Sequence, residues 1–166
     1  MSSTEDLCAL KRFSHPSLSM FTGSAVNTTP ISRRFQLGSF SARMSDSAIT
    51  GAVIGAAIEV HKLLGPGLLE SAYEQCLSHE LTLRRIPFER QRATPTVYKD
   101  VKLEHGFRMD FLVDGKVVVE LKAVEALIPV HDAIMLTYLR MSGHHIGLLI
   151  NFNVVVLKHG IRRFVL

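Results

Sequence analysis

The residues whose types and spacing are best suited to chemistry are Asp110, Glu120 and Lys122. Asp110 lies near the open end of one predicted β-strand, and the triplet Glu120-Leu121-Lys122 closes the next strand after a run of valines. Charged side chains on a buried strand are costly unless they are paired or bind a metal. Carboxylate oxygens suit Mg²⁺, and alternation along a strand puts Lys122 on the same face as Glu120. The spacing therefore predicts Asp110 and Glu120 as Mg²⁺ ligands, with Lys122 holding or activating a water that attacks a phosphodiester.

An alternative interpretation is a plain ion pair between Glu120 and Lys122 beside an ordinary surface Asp110. The register of the two strands distinguishes these possibilities. A two-residue turn at Asp114-Gly115 would place Asp110 and Glu120 on opposite sides of the sheet. A three-residue loop with a glycine bulge, or a bulge near the open end of the strands, would place Asp110 opposite Glu120 and bring both carboxylates to one face. We predict this second geometry.

Three helices and a set of short strands are predicted to position these residues. Apolar residues repeat at helical spacing from 46 or 47 to 64, from about 68 to 85, and from 129 or 130 to 141. Runs typical of strands cover 88–92, 96–98, 101–104, 107–113, 117–121, 146–152, 154–157 and 161–166. Two helices, a mostly antiparallel set of strands, a crossing helix and a return to strands predict an α/β sandwich.

The first part of the chain differs in composition from the rest. Eleven serines fall within the first 47 residues, and no acid occurs between Asp6 and Asp46. This composition predicts a disordered Ser- and Arg-rich tail at residues 1–45, followed by a single domain at 46–166. Two other interpretations are a transit-like presequence and an upstream extension of a reading frame whose working start is Met44. The extension is favoured because Met44 immediately precedes the first structured residues.

Composition and charge exclude several classes of protein. A hydrophobic fraction of 47% and a charged fraction of 20% are typical of a globular chain. No apolar run approaches the roughly 18 residues that span a bilayer, so we expect no membrane partner. Two cysteines cannot form a disulfide framework, which predicts a reducing, cytoplasmic location. Residues 45–166 hold 14 basic and 13 acidic residues, so composition alone does not indicate a nucleic-acid-binding face.

Two motifs resemble a known group of proteins. Asp110, a nine-residue gap and Glu120-Leu121-Lys122 look like the active-site core of the PD-(D/E)XK nuclease superfamily, with Met109 where the family name has proline. The segment from Gly67 to Tyr73, with Glu70 at its centre, is similar to the signature of the GxxExxY family, a group of small bacterial proteins placed in that superfamily. The resemblance covers about residues 47–166.

The resemblance implies a restriction-endonuclease-like fold, in which α-helices flank a mixed β-sheet in an α/β/α sandwich. It also implies a nuclease that hydrolyses phosphodiester bonds in DNA and depends on Mg²⁺ or Mn²⁺. Glu70 matches an acid that such nucleases place beside the metal, and the Leu121 carbonyl is expected to complete the coordination. Tyr138 resembles the tyrosine of a Q-x-x-x-Y motif that lines the active cleft. Ile134 stands where that motif has glutamine.

Three further residues are candidates for contacting the substrate, each with a competing structural role. Tyr73 contacts the substrate or is a core aromatic with a bonded hydroxyl. Arg108 holds the DNA backbone or an acidic neighbour, and His131 contacts a phosphate or caps the third helix, with the cap favoured. Ile134 and the near-neutral domain also motivate a second function, a catalytically silent nuclease fold that binds nucleic acid or another protein. A homodimer is compatible with either function.

Overall fold

The computed structural model describes residues 44–166, apart from the side chains of residues 96–98 and 102–105. Predictions made for residues 1–43 lie outside this range. The elements are α1 (Asp46–Leu64), α2 (Glu70–Leu83), β1 (Phe88–Tyr98), β2 (Val101–Val113), β3 (Val117–Lys122), α3 (Pro129–Ser142), β4 (Ile146–Asn151), a 3₁₀ helix (Leu157–Gly160) and β5 (Ile161–Val165).

One five-stranded mixed sheet, in the order β1-β2-β3-β4-β5, organises the fold. The β3–β4 pair is parallel because α3 crosses from the end of β3 to the start of β4, and the other pairs are antiparallel. Apolar residues of α1 and α2 pack on one face of the sheet, and those of α3 pack on the other. The predicted α/β sandwich with a mixed sheet is confirmed.

The strands differ from the prediction mainly in length. The predicted runs left residues 93–95 and 105–106 outside any strand, but β1 and β2 run through both segments and form one long hairpin. Pro95 is tolerated because β1 is an edge strand, and the pairing register shifts between Thr94 and Thr96. Residues 154–156, predicted as strand, belong to no strand and lead into the 3₁₀ helix.

The N-cap of the first helix lies one residue earlier than predicted. Ser45, rather than Asp46 or Ser47, is the N-cap, and its Oγ accepts a hydrogen bond from the Ala48 amide at 3.3 Å. By length and mean hydropathy (19 residues, 1.3) α1 could cross a membrane, which the search for uninterrupted apolar runs had not suggested. Its apolar side, including Ile49 and Val53, is instead buried in the core against α2 and the sheet.

The turn between α1 and α2 is held by Tyr73. Gly65 and Gly67 have φ of 66° and 103°, values that favour glycine. The Tyr73 hydroxyl donates to the Gly65 carbonyl at 2.7 Å and accepts from the Leu68 amide at 3.1 Å, while its ring stacks on Phe152 at 4.5 Å. Tyr73 is fully buried, so its expected contact with a substrate is wrong and its structural role is the correct one.

Tyr73→Phe should therefore lower the free energy of unfolding by about 1–3 kcal/mol, because a partly buried carbonyl and amide lose their shared partner. Urea unfolding measures this change. Tyr138→Phe is the matched control, since the Tyr138 side chain is only half-buried, and it should change stability by less than about 0.5 kcal/mol. Equal effects of the two substitutions would show that the Tyr73 hydroxyl does not hold the turn.

Candidate active site

The pairing of β2 with β3 confirms the predicted loop. Val113 lies opposite Val117, so residues 114–116 form a three-residue loop. The ladder continues through two more pairs and ends one position before Asp110 and Glu120. Extending the same register places Asp110 opposite Glu120, at the carboxyl end of β3.

Strand β2 changes face at Asp110. Met109 packs with the apolar residues beneath α3, whereas Phe111 packs with those beneath α1 and α2. Residues two apart on a regular strand share one face, so the alternation is broken between them. In the neighbouring strand β1, Gln91 has a positive φ of 49°. It lies between two residue pairs of the β1–β2 ladder, Arg90–Phe111 and Arg92–Met109. Such local irregularities in a strand redirect a side chain, here the carboxylate of Asp110.

The Asp110 carboxylate crosses to the backbone of β3. Its Oδ2 accepts a hydrogen bond from the Leu121 amide at 2.8 Å, and its Oδ1 lies 3.4 Å from the donating Nε2 of Gln91. Burial raises the pKa of Asp110 above its usual range, although the Leu121 hydrogen bond and the charge of Lys122 oppose this effect. Asp110 is therefore fixed in position yet energetically unfavourable as an anion.

Glu120 is the most strongly perturbed acid at this point. Its side chain is almost fully buried; Oε1 accepts from Lys122 Nζ at 2.7 Å, and Oε2 is buried without a hydrogen-bond partner. Burial, followed by repulsion from Asp110, raises the pKa of Glu120 to about 7. A buried oxygen without a hydrogen-bond partner is uncommon in proteins and is explained by an ordered water, a bound ion or a catalytic role.

Lys122 bridges the two oxygens beside it. Its Nζ donates to Glu120 Oε1 at 2.7 Å and to the Leu121 carbonyl at 2.8 Å, and lies 3.9 Å from Glu70 Oε1. Burial lowers the pKa of Lys122, but the hydrogen bond and charge of Glu120 outweigh it and raise the pKa above its ordinary value. Lys122 is therefore an ammonium ion at neutral pH, able to donate hydrogen bonds but not to accept a proton.

The donor set fits a divalent cation. Within the described part of the chain, no three His, Cys, Asp or Glu side chains form a cluster that could hold a metal by themselves. The available ligands are two carboxylates, and the unpartnered Glu120 Oε2 is the oxygen with free lone pairs. A cation bound by Asp110 and Glu120 would relieve the repulsion between them, and oxygen ligands suit Mg²⁺ or Mn²⁺. The Leu121 carbonyl can join only if the Lys122 ammonium moves away from it.

Two other predicted residues border this cluster. Glu70 is the first residue of α2, and its half-exposed carboxylate faces Lys122. Tyr138 on α3 stacks on Phe107 with ring centroids 4.4 Å apart. Burial, then the charges of Glu120 and Asp110, raises the pKa of Tyr138 to about 12, so its hydroxyl keeps its proton. Ile134, half-buried one turn earlier on α3, contributes no polar group.

The remaining predicted residues do not join the cluster. His131 Nδ1 accepts a hydrogen bond from the Ile128 amide at 3.1 Å, so it caps α3, as the favoured interpretation had it. Arg108 is exposed on β2 opposite Ala93. Tyr73 lies in the core, as described above.

One residue missed by the sequence analysis, Gln91 of β1, supports Asp110 and links it to α2. Gln91 Nε2 donates to Glu74 Oε1 at 2.8 Å and reaches Asp110 Oδ1 at 3.4 Å, so one amide lies between two carboxylates. Arg90 binds the same Glu74 oxygen at 3.1 Å. A single glutamine in a polar strand carries no signal of its own, so the sequence did not indicate this role.

Asn151 was also missed as a support of the site. It is 1% exposed, lies beside Lys122 in the parallel β3–β4 pair, and exchanges hydrogen bonds of 3.0 and 2.8 Å with the backbone of Val124. The Phe152 amide donates to the Lys122 carbonyl at 2.8 Å. These bonds fix the chain immediately after Lys122, so the direction of its side chain depends on the end of β4.

Fold and site together define a class: an α/β protein with an acid, acid and lysine cluster at the open end of a mixed sheet. The family model described as the PD-(D/E)XK nuclease superfamily matches residues 47–164. The chain belongs to this superfamily, and its sheet and helices have the expected restriction-endonuclease-like arrangement. Such nucleases generally use divalent metal ions and act on nucleic acid. No curated protein and no solved structure gave a significant match to the chain.

Gln91 should matter to metal binding because it supports a ligand. Gln91→Asn keeps an amide that tolerates positive φ but shortens its reach, so Mg²⁺ affinity should fall about 10-fold or more. Titration calorimetry measures the affinity. Gln75→Asn, the same change at an exposed position of α2, is the control and should leave the affinity unchanged. Equal affinities in the two variants would mean that Gln91 does not position Asp110.

The raised pKa of Glu120 predicts how stability depends on pH without metal. The folded state holds the Glu120 proton up to about pH 7, whereas the unfolded chain releases it near the ordinary glutamate pKa of 4.5. Between these values the folded state binds more protons, so stability falls as pH rises. Glu120→Gln removes this effect, and its stability relative to wild type should improve by about 1–3 kcal/mol from pH 5 to pH 8 in EDTA.

Urea unfolding at the two pH values measures the difference. Glu89→Gln, at an exposed acid of β1, serves as the control and should show no such pH-dependent gain. A constant difference between Glu120→Gln and wild type across this range would contradict the assignment of a raised pKa to Glu120.

Proposed function

We propose that this protein is a divalent-metal-dependent nuclease of the GxxExxY family that hydrolyses phosphodiester bonds in DNA, with Mg²⁺ or Mn²⁺ as cofactor. The observation that carries the proposal is the convergence of Asp110, Glu120 and Lys122 at the end of β3, with a buried Glu120 oxygen left without a partner. A purely structural ion pair would satisfy both oxygens of the carboxylate.

Each residue then has a distinct role. Asp110 and Glu120 hold the cation, which when bound supplies positive charge to the scissile phosphate. Lys122, as an ammonium, donates hydrogen bonds that orient the attacking water and offset negative charge on the phosphate oxygens. Glu70, 3.9 Å from Lys122 Nζ and half-exposed, is placed to accept a hydrogen bond from the same water. Tyr138, protonated at neutral pH, can donate its hydroxyl to a phosphate oxygen.

The geometry of the GxxExxY segment supports the narrower family assignment. Gly67 has a positive φ that lets the chain turn before α2. Glu70 begins the helix and faces Lys122, and Tyr73, one turn further on, locks the turn through its hydroxyl. The three residues of the motif thus act together. The glycine and the tyrosine stabilise the turn before α2, and this turn determines where the glutamate lies relative to the cluster.

A second candidate function is a nuclease fold that binds nucleic acid without cleaving it. Ile134 favours it, because an apolar side chain replaces the glutamine expected one turn before Tyr138. The Lys122 ammonium also favours binding without cleavage, since this ammonium already neutralises Glu120 and donates a hydrogen bond to the Leu121 carbonyl. If this candidate is right, the protein binds DNA but shows no cleavage in either Mg²⁺ or Mn²⁺, and Ile134→Gln is the variant in which turnover should return.

The nuclease proposal predicts that Asp110→Asn and Lys122→Ala each reduce metal-dependent cleavage of labelled duplex DNA by at least 100-fold. Asp110→Asn removes a charge from the metal site, and Lys122→Ala removes the donor to the water. Asp110→Asn should also abolish Mg²⁺ binding in calorimetry, whereas Lys122→Ala should retain it or strengthen it because a competing cation is gone.

Asp114→Asn is the matched control, because it makes the same change of side chain in the loop between β2 and β3. Asparagine tolerates the φ of 51° that the chain has at this position. It should cleave at the wild-type rate. Wild-type cleavage by Asp110→Asn, with folding verified by thermal melting, would refute the assignment of the catalytic site.

A further inference from the structure

The β1–β2 hairpin extends well beyond the rest of the sheet. Strand β2 pairs with β3 only from Phe111 to Val113, while its pairing with β1 continues to Tyr98 and Val101. From the Thr94–Phe107 pair to the tip, residues 95–106 form a two-stranded projection, which we name the arm. At a rise of roughly 3.3 Å per residue the arm is about 16 Å long.

The direction of the arm follows from the topology. Strands β2 and β3 are antiparallel, so the residues of β2 that precede Asp110 lie beyond the carboxyl end of β3. That end carries Glu120 and Lys122. The arm therefore projects past the candidate active site and not past the opposite edge of the sheet.

The base of the arm is anchored to the body of the domain. Met109 is buried with residues of α3, and Phe107 stacks on Tyr138. The charges of Glu120 and Asp110 also raise the pKa of Tyr138, so Tyr138 lies near both the cluster and the base of the arm. Beyond this contact the described side chains are exposed, as at Pro95 and Val101.

The charge of the hairpin differs from that of the domain as a whole. Between residues 92 and 108 the sequence has four Lys or Arg and two acids, whereas the 45–166 segment is almost neutral. Alternation along β2 places Arg108 on the face away from Met109, where it is exposed. A net positive, narrow, solvent-exposed ribbon is complementary to a polyanion.

We propose that the arm enters the major groove of duplex DNA when the scissile phosphate lies at Asp110 and Glu120. The major groove is about 12 Å wide and admits a two-stranded β-ribbon, whose strands are about 4.8 Å apart. Arg108 contacts a backbone phosphate, the positive charge that the sequence adds at Lys102 attracts a second one, and the tip lies in the groove. This inference rests on the proposed nuclease function and adds to it that the substrate is a duplex, held by an element outside the catalytic cluster.

Anisotropy titrations of a labelled 20-base-pair duplex, with Lys122→Ala as the background so that the probe stays intact, test the contact. Adding Lys102→Ala with Arg108→Ala should lower duplex affinity at least 10-fold. Loss of two phosphate contacts should also reduce the slope of log K against log salt by about 2. Lys158→Ala with Arg163→Ala, two exposed cations near the β5 edge of the sheet, is the matched control and should stay within about 2-fold.

A second variant separates groove binding from simple charge attraction. Replacing residues 95–106 with Asn-Gly closes the hairpin at the Thr94–Phe107 pair and keeps the stack on Tyr138. Folding is checked by thermal melting. This variant should lose duplex affinity at least 10-fold while its affinity for a single strand of the same length changes by less than about 3-fold.

The outcomes distinguish this inference from the nuclease proposal. If the wild type cleaves DNA and both arm variants, made in the Lys122→Ala background, bind the duplex as tightly as that background does, the arm proposal is overturned and the nuclease proposal stands. If the arm variants lose duplex binding but the wild type never cleaves DNA, the arm proposal holds and the nuclease proposal is refuted. An arm deletion that changes only the oligomeric state assigns the arm to a second copy of the chain and overturns the proposal, as does a wild type that binds no DNA.

Discussion

Two carboxylates, the half-buried Asp110 and the buried Glu120, lie at the end of β3 with one ammonium ion to compensate them. Burial raises both pKa values, and repulsion from Asp110 raises that of Glu120 further; the protein counters these effects with the Leu121 amide, the Gln91 amide and Lys122. The compensation is incomplete, because Glu120 Oε2 has no hydrogen-bond partner. Such a pair adds less stability than well-packed apolar residues would, and perturbed carboxylates of this kind cluster at functional sites, which is consistent with the proposed role in binding a cation.

The surrounding structure maintains that arrangement from three directions. The change of face in β2 at Asp110 directs one carboxylate onto the backbone of β3. The hydrogen bonds of Asn151 fix the chain that follows Lys122. The turn locked by Tyr73 sets where α2 begins, and therefore where Glu70 lies. None of these supports touches a substrate, yet each determines the position of a residue that would.

The parts of this structure that were predictable from sequence depend on local signals, and the missed parts depend on tertiary contacts. The three-residue loop followed from the requirement that Asp110 and Glu120 share a face, and the helices followed from apolar spacing and from Gly and Pro. The long hairpin was missed because the predicted runs were short and left out residues 93–95 and 105–106; Pro95 is tolerated within β1 because β1 is an edge strand. Gln91 was missed because its role arises only when α2 brings Glu74 beside β1.

The Lys122 ammonium explains how the cluster is tolerated before a cation binds. It donates to Glu120 Oε1 and to the Leu121 carbonyl, two of the three oxygen groups that the sequence assigned to the metal. Two cations cannot share these oxygens at close range without strong repulsion, and Glu120 Oε2 is buried, so an ion held by Asp110 and Glu120 would favour displacement of the ammonium toward Glu70. That displacement would move Lys122 toward the position from which it would orient water under the proposed function. Lys122 would then be first the counterion of Glu120 and afterwards a hydrogen-bond donor in the proposed reaction, with Glu70 as the acid that receives it.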